Sequence, residues 1–219
     1  MLAGKDQKQV LVDIMHKGNC LQYKKGEFIV RPGEAPPGVF YIESGLVKAY
    51  DITKYGEENL LIIRKDGEFL GLTWTITGDV RNIIYEALEP SVVWQVPRLT
   101  FSKYIRSHPE SALPLIDTIT EMYRIHSERI LNLEYRTVRE RLISFLLTTS
   151  KRFGEKRPAG IAINVPLRHQ DIASSINSSR ETTSREIANL ERKGLIKNEQ
   201  LYFTLLDVAQ LRKHLESQV

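Results

Sequence analysis

The fold of this chain is decided by the stretch Leu167-Arg-His-Gln-Asp-Ile-Ala-Ser-Ser-Ile-Asn-Ser-Ser-Arg-Glu-Thr-Thr-Ser-Arg-Glu-Ile-Ala-Asn-Leu-Glu-Arg-Lys-Gly-Leu-Ile196. Its first part carries an apolar stripe at Ile172, Ala173 and Ile176, which is typical of one face of a short helix. Asn177-Ser-Ser179 then interrupts the stripe with residue types that favour turns and helix N-caps. We therefore predict a short helix that ends in a tight turn.

A second helix is predicted directly after this turn. Thr183, Ile187 and Leu190 are spaced by four and three residues, which places them on one inner face. Gly194 should end the helix, because a residue without a Cβ adopts the left-handed conformation after a helix at little cost. Two short helices joined by a tight turn form a helix-turn-helix.

The polar residues at the start of the second helix indicate a DNA ligand. Arg180 and Arg185 carry planar donor forks that match O6 and N7 of guanine, and Glu181 can accept from the cytosine amino group. These side chains should project away from the core, where a recognition helix meets base edges. The other interpretation is an ordinary solvated helix face with exposed ion pairs. The predicted DNA-contacting residues are Ser179, Arg180, Glu181, Ser184, Arg185 and His169.

The composition excludes several other classes of protein. The chain has 219 residues, which suits one large domain or two modest ones. It has no run of about 18 apolar residues, and Met1–Lys8 lacks the apolar core of a secretory signal, so we expect a cytoplasmic protein without a membrane partner. The single cysteine, Cys20, excludes an intrachain disulfide and a cysteine-ligated iron–sulfur cluster. The five histidines show no metal-ligand spacing, so no metal site is predicted.

The net charge of +4 is unevenly distributed. Residues 137–219 hold 14 Lys and Arg against 9 Asp and Glu, whereas residues 1–136 hold 17 against 18. The basic excess therefore coincides with the predicted helix-turn-helix, as a phosphate-binding surface requires.

A series of short strands is predicted from about Leu21 to Pro97. Glycine or proline punctuates the apolar segments at intervals of roughly ten residues, which is typical of an all-β sandwich or barrel. The segments are Phe28–Val30, Val39–Ile42, Leu46–Tyr50, Leu60–Ile63, Ile83–Tyr85 and Val92–Val96.

A long helix with a heptad seam is predicted after His108. A second apolar set, at Leu115, Met122 and Ile125, faces another direction and suits packing on the strand-rich region. A helix that is apolar on two faces needs two partners, so we predict a second copy of the chain on the seam. The other interpretation is a helix buried within a monomer. The seam residues, spaced 3, 4, 3, 4 and 3, are Ile116, Ile119, Tyr123, His126, Ile130 and Leu133.

The remaining C-terminal segments predict a winged helix around the helix-turn-helix. Val138–Phe153 has helical periodicity, and Gly154–Pro158 is expected to end this helix. Ile161–Val165 is predicted to form a short strand. A β-hairpin is predicted between Leu195 and Leu205, and a short helix over Leu206–Leu215.

In this order of elements, the chain resembles the cyclic-AMP receptor protein / FNR family of bacterial transcription regulators over nearly its whole length. The motifs that carry the resemblance are Ser179–Arg185, Phe40–Lys48 and Gly67–Gly71. It implies an α+β fold with a β-roll effector domain of the cyclic-nucleotide-binding jelly-roll type at 1–108, a dimerisation helix at 109–136 and a winged helix-turn-helix at 137–219. It also implies that the recognition helix reads TGTGA-like half-sites arranged as a palindrome on double-stranded DNA, bound by a homodimer.

The predicted effector site departs from the cyclic-AMP pattern of that family. Cyclic-AMP binders carry a glutamate for the ribose hydroxyl where this chain has Leu72, and the nearest match to their phosphate-binding Arg-Ser or Arg-Thr is Arg81-Asn82. The segment Asn82–Pro90 is more similar to the halogenated-phenol-responsive branch. We expect a small organic, aromatic or nucleotide-like effector and no identified cofactor; the alternatives are that these residues are core and that no effector is needed. The predicted effector residues are Gly71, Leu72, Trp74, Arg81, Asn82, Ile84 and Tyr85.

The sequence is less compatible with two other classes of function than with DNA binding. A scaffold whose winged helix binds a protein would present an apolar patch where this chain has Arg180, Glu181 and Arg185. An enzyme is not expected, because the sequence has no nucleophile elbow, phosphate-cradling Gly-Lys loop or metal cluster. Activation of transcription would require a surface for RNA polymerase as a further partner, and no residue pattern identifies one.

Overall fold

The computed structural model describes residues 5–80 and 82–216, and the chain divides into two units, Met1–Arg124 and Ile125–Val219. The first unit is rich in strands and the second contains the helix-turn-helix. The functional division into parts at 1–108, 109–136 and 137–219 stays a prediction.

The first unit holds the short strands that the glycine and proline spacing predicted. Its first strand begins two residues before Leu21, at Asn19, because pairing with the last strand of the roll extends it. The elements are α1 (Lys5–Met15), β1 (Asn19–Tyr23), β2 (Phe28–Val30), β3 (Gly38–Ser44), β4 (Leu46–Ile52), β5 (Glu58–Lys65), β6 (Phe69–Leu70), α2 (Leu72–Thr77), β7 (Ile84–Ala87), β8 (Ser91–Pro97), α3 (Arg98–Ser107) and a 3₁₀ turn (Pro109–Ser111).

These strands form two antiparallel sheets, in the orders β1-β8-β3-β6 and β2-β7-β4-β5. Alternation along β3 divides its side chains between two cores. Phe40 points into the core between the sheets, with Val47 and Leu70. Val39 points to the other face, where α1, α3 and the start of the next helix cover the sheet. The β-roll expected from the sequence is therefore confirmed, with a helical layer on one of its faces.

Gly45 shows why glycine punctuates these strands. It connects β3 and β4 with a positive φ of 104°, which favours glycine. A Cβ at this position would lie 2.3 Å from the hydroxyl oxygen of Ser91. A side chain is therefore excluded both by the backbone conformation and by the close approach of Ser91.

A long helix, α4 (Ala112–Tyr135), begins directly after the 3₁₀ turn. Pro114 lies in its first turn, where the missing N–H has no partner within the helix in any case. The helix contains the whole predicted seam.

The second unit has the winged-helix architecture that the sequence predicted. Its small sheet has the strand order β11-β12-β10-β9, and helices α5, α6, α7 and α8 complete the unit. The elements are α5 (Val138–Phe153), β9 (Gly154–Arg157), β10 (Gly160–Ile163), α6 (His169–Ser175), α7 (Arg180–Arg192), β11 (Ile196–Glu199), β12 (Tyr202–Leu205) and α8 (Val208–Glu216).

The segment Gly154–Pro158 ends helix α5 as predicted, since the last residue of α5 is Phe153. The same segment also contains strand β9, which the sequence did not predict and which pairs antiparallel with β10. All four residues of β9 are exposed. An edge strand that buries neither face shows no apolar alternation, so its sequence looks like a break.

Candidate functional site

The helix-turn-helix is built by a buried apolar layer and a left-handed turn. The side chains of Ile172 and Ala173 in α6 and of Ile187 in α7 are all buried. Asn177 adopts a φ of 50° in the turn, a conformation that asparagine tolerates better than most residues. Ser179 caps α7, since its hydroxyl oxygen accepts a hydrogen bond of 3.1 Å from the backbone N–H of Thr182. The residues around the turn therefore place the start of α7 at the protein surface.

The charged residues at the start of α7 are exposed to solvent. The side chains of Arg180, Glu181 and Arg185 make no hydrogen bond or ion pair within the described ranges 5–80 and 82–216. The structure therefore shows the solvated helix face of the alternative interpretation, but without ion pairs at these three positions among the described residues. Their donor and acceptor groups remain available for a ligand outside the chain.

Two arginines of α5 contact the helix-turn-helix, one at α7 and one at the turn before it. Arg139 of α5 donates from Nε to Glu186 of α7 over 2.6 Å, and this hydrogen bond raises the pKa of Arg139. Arg141 donates from Nη2 to the backbone oxygen of Asn177 over 3.4 Å. Helix α5 thus contacts α7 at Glu186 and the turn at Asn177.

His169 lies between the recognition helix and the wing formed by β11 and β12. Its Nδ1 is 2.8 Å from the hydroxyl oxygen of Ser184, and its Nε2 is 3.0 Å from Nδ2 of Asn198. Burial lowers the pKa of His169, and the positive charge of Arg180 lowers it further, against an opposing effect of Glu191. The carboxylate of Glu191 accepts from the backbone N–H of Asn198 over 2.8 Å.

Two of these residues were missed by the sequence analysis. Asn198 lies 29 residues after His169, and no local pattern marks it as a neighbour. The sequence gives no signal for Glu191, because an acidic residue near the end of a helix is common on a solvated surface. The structure therefore extends the predicted set around His169 to the wing.

The predicted dimer seam is an exposed apolar stripe on α4. Tyr123 is 72% exposed and Ile130 is 62% exposed, while His126 and Leu133 are half-buried. Ile116 and Ile119 are also exposed. The alternative of a seam buried within the monomer is therefore not what the structure shows. The described ranges 5–80 and 82–216 leave most of the Tyr123 and Ile130 side chains uncovered.

The other apolar set of α4 packs only in part as predicted. Leu115 is buried with Leu11, Val39 and Phe101 in the layer over the β-roll sheet. Met122 and Ile125 are only half-buried.

The structure brings only some of the predicted effector residues together. The backbone N–H of Gly71 donates to the hydroxyl of Tyr85 over 3.3 Å. Trp74 is half-buried beneath the guanidinium of Arg98, 5.6 Å from its ring centre. Asn82 is exposed, and Arg81 lies outside the described residues.

Two of the predicted effector residues pack as core residues. Leu72 is buried with Leu11, Met15 and Phe69 in the layer between the sheet and the helices. Ile84 is 2% exposed. The core interpretation therefore accounts for Leu72 and Ile84 without an effector.

A buried ion network in the β-roll was not predicted. Lys48 is 3% exposed, and its Nζ lies 3.1 Å from carboxylate oxygens of both Glu58 and Glu86. The hydroxyl of Tyr50 donates to Glu86 over 3.0 Å. The network joins β4, β5 and β7, since each strand supplies a member. The pairing register that makes Lys48 and Glu86 neighbours cannot be read from either strand alone.

The described residues hold neither a metal-binding cluster nor a helix that could span a membrane. No group of three or more His, Cys, Asp or Glu side chains in ranges 5–80 and 82–216 could hold a metal ion. None of the described helices is both long and apolar enough to cross a membrane.

Two family models match the chain. The model of the cyclic nucleotide-binding domain matches residues 20–108, and the model of the Crp-like helix-turn-helix domain matches residues 140–214. The matches therefore cover the β-roll and most of the second unit.

The similar curated proteins are transcription regulators and not enzymes. The global nitrogen regulator of Synechococcus elongatus is 29% identical over 80% of this chain and 80% of its own length. The transcriptional activator protein anr of Pseudomonas aeruginosa is 27% identical over 92% of this chain and 81% of its own length. The fumarate and nitrate reduction regulatory protein of Vibrio cholerae is 26% identical over 86% and 75%, respectively.

Solved structures show the same fold at low identity. A variant of CooA from Carboxydothermus hydrogenoformans has a TM-score of 0.77 at 20% identity and covers 98% of this chain and 97% of its own. CprK complexed with OCPA has a TM-score of 0.71 at 16% identity and covers 96% and 95%. CprK, which represents the halogenated-phenol-responsive branch, is thus only a distant neighbour, and the likeness carries no information about an effector of this chain.

Proposed function

Because the chain belongs to the CRP/FNR family of transcription regulators, we propose that it acts as a homodimer that reads a palindrome of TGTGA-like half-sites in double-stranded DNA. A small-molecule effector other than cyclic AMP, held in the β-roll, gates this binding. The protein acts in the cytoplasm, where its chromosomal target lies. Its effect on transcription would be exerted through RNA polymerase.

The observation that carries the proposal is the unpaired charged set at the start of α7. Arg180 and Arg185 offer guanidinium forks, and Glu181 offers a carboxylate, with no competing partner among the described residues. The set lies at a helix N-terminus, which also favours approach of a phosphate anion. Guanine presents O6 and N7 to such forks in the major groove, which supports guanine-containing half-sites.

The exposed stripe of α4 supports the dimer. A palindrome requires two recognition helices related by two-fold symmetry, about one DNA turn apart. An apolar heptad seam on a long helix buries itself best against a second copy of the same helix. The exposure of Tyr123 and Ile130 is consistent with such a partner.

Leu72 supports an effector other than cyclic AMP. By the family resemblance, this position carries the acidic acceptor of the ribose hydroxyl, and a leucine cannot accept a hydrogen bond. Leu72 is also buried among apolar side chains, where an unpaired polar group would be costly. An effector gates DNA binding only if it binds the DNA-competent state more tightly than the other state. Control by protein abundance alone is the outcome if no effector is found.

The test is fluorescence anisotropy of the purified protein on a palindrome of TGTGA half-sites and on a scrambled duplex, at one fixed salt concentration. Selective binding of the palindrome, by the apo-protein or after addition of a small organic ligand, is the expected result. Equal affinity for both duplexes under all conditions would reject the proposed half-site. Addition of cyclic AMP should leave the affinity unchanged.

A further inference from the structure

We propose that His169, held by Asn198 of the wing, determines which hydrogen-bonding role the hydroxyl of Ser184 offers to DNA. His169 is a positioning residue in this proposal, and Ser184 is the residue that touches the base. The inference rests on the proposed DNA-binding function and assigns a specificity-determining device to the same surface.

The geometry defines where the proton of His169 lies. Nδ2 of Asn198 is a donor only, so Nε2 of His169, at 3.0 Å, must accept from it. A neutral imidazole with an accepting Nε2 carries its proton on Nδ1. This N–H then donates to the hydroxyl oxygen of Ser184 over 2.8 Å. The lowered pKa of His169, caused first by burial and then by Arg180, is consistent with a neutral ring near pH 7.5.

The tautomer of His169 determines which hydrogen bonds the hydroxyl group of Ser184 can still form. A serine hydroxyl has one proton and two lone pairs. Since one lone pair accepts from His169, the proton of Ser184 stays available, and the described residues offer it no other hydrogen-bond partner. Ser184 can therefore donate to N7 of a purine, O6 of guanine or O4 of thymine.

The opposite tautomer would reverse this role. With the proton on Nε2, the Nδ1 atom would accept from Ser184 and occupy its only proton. Ser184 could then only accept from DNA, which suits the amino groups of cytosine and adenine. The wing residue Asn198 selects between these two tautomers of His169, although it need not touch the DNA itself.

A second feature ties Asn198 to this position. Its backbone N–H donates to Glu191 of α7 over 2.8 Å, so the wing strand is fastened to the recognition helix. The Oδ1 atom of Asn198 is buried without a hydrogen-bond partner in the described structure. Among the described residues, the contact with His169 is therefore the hydrogen bond that holds the Asn198 side chain.

The first experiment reads the tautomer in the free full-length protein. Long-range ¹H–¹⁵N correlation spectra at pH 7.5 distinguish an imidazole protonated on Nδ1 from one protonated on Nε2, and His169→Gln identifies the signals. Wild type should show the Nδ1 proton, whereas Asn198→Ala should shift His169 toward Nε2. A wild-type ring protonated on Nε2 would overturn the proposal whether or not the protein binds DNA.

The second experiment selects bound half-sites from a randomised DNA library. Ser184→Ala should lower the preference at one base position by about 2- to 13-fold, the range expected for one hydrogen bond. Asn198→Ala should lower it at the same position, and the double variant should lose no more than either alone. Gln200→Asn, which changes a neighbouring amide in the wing turn and retains the positive φ that asparagine tolerates, is the matched control and should leave the preference unchanged.

The outcomes separate this inference from the proposed function. If wild type selects no sequence, the proposed function fails, and the tautomer is still decided by the spectra. If wild type selects a sequence and Ser184→Ala changes a preference that Asn198→Ala leaves intact, the positioning role of His169 and Asn198 is wrong. If neither variant changes any preference, Ser184 does not read a base.

Discussion

Replacement of Arg180 by alanine should relax the specificity of DNA binding at one base pair of each half-site and leave the fold intact. Arg180 is exposed and makes no hydrogen bond or ion pair among the described residues. Surface substitutions of this kind change the free energy of unfolding by less than about 0.5 kcal/mol. Any larger effect of the substitution must therefore arise in the complex with DNA.

The size of that effect follows from the chemistry of the guanidinium. A bidentate arginine–guanine contact contributes about 1–3 kcal/mol of discrimination against a wrong base, a factor of about 5 to 160. A dimer on a palindrome uses the contact twice, and well-separated sites add, so the full duplex should lose about 2–6 kcal/mol of discrimination. The affinity for a scrambled duplex should fall much less.

The assay is fluorescence anisotropy on the palindrome and on duplexes that carry each of the other bases at one symmetric pair of positions, at fixed salt. Arg192→Ala is the matched control, because Arg192 lies at the opposite end of the same helix and carries the same charge. The control should weaken all duplexes alike, if at all. An equal loss of affinity by Arg180→Ala on every duplex would show that Arg180 contacts phosphate and that our assignment is wrong.

Three further predictions concern the dimer, the fold and its dependence on pH. Ile130→Asp should give a monomer in light scattering, because it places a charge on the exposed seam. Leu99→Asp, which changes an exposed residue of α3, should leave the dimer intact. If both variants are dimers, the seam is not the dimer interface. Thr137→Ala should lower the free energy of unfolding by about 1 kcal/mol, since the Thr137 hydroxyl and the Glu140 carboxylate form a capping box at the start of α5; denaturant midpoints that do not change would contradict this. The stability of the second unit should fall as the pH is lowered below about 6.5, because the unfolded chain takes up a proton on His169 at a higher pH than the folded chain does. His169→Gln should weaken this pH dependence in denaturant titrations, and an unchanged dependence would show that other groups cause it.

The local elements were largely predictable because short-range periodicity reports them. The stripe of Thr183, Ile187 and Leu190 predicted α7, and all three residues are buried. The glycines and prolines between apolar segments predicted the strands of the β-roll. Strand β9 escaped prediction because an exposed edge strand has no apolar alternation.

The candidate site was predictable only where its chemistry is visible in one helix. Arg180, Glu181 and Arg185 lie within two turns of α7, so their side of the helix follows from the buried stripe. The role of Leu72 could not be predicted from the sequence, since a leucine beside a turn suits both a ligand pocket and a core. Only the packing of α1 and α3 over the sheet shows that it is buried among core residues.

The amino-acid sequence by itself determined the helix-turn-helix, the punctuated strands and the apolar seam of α4, because each depends on residues within a few positions of one another. The tertiary structure decided which distant residues meet. It placed Asn198 against His169 and Glu86 against Lys48. The physical reason is that hydrophobic periodicity specifies which face of an element is buried, whereas the identity of its neighbour depends on strand register and on the packing of whole elements.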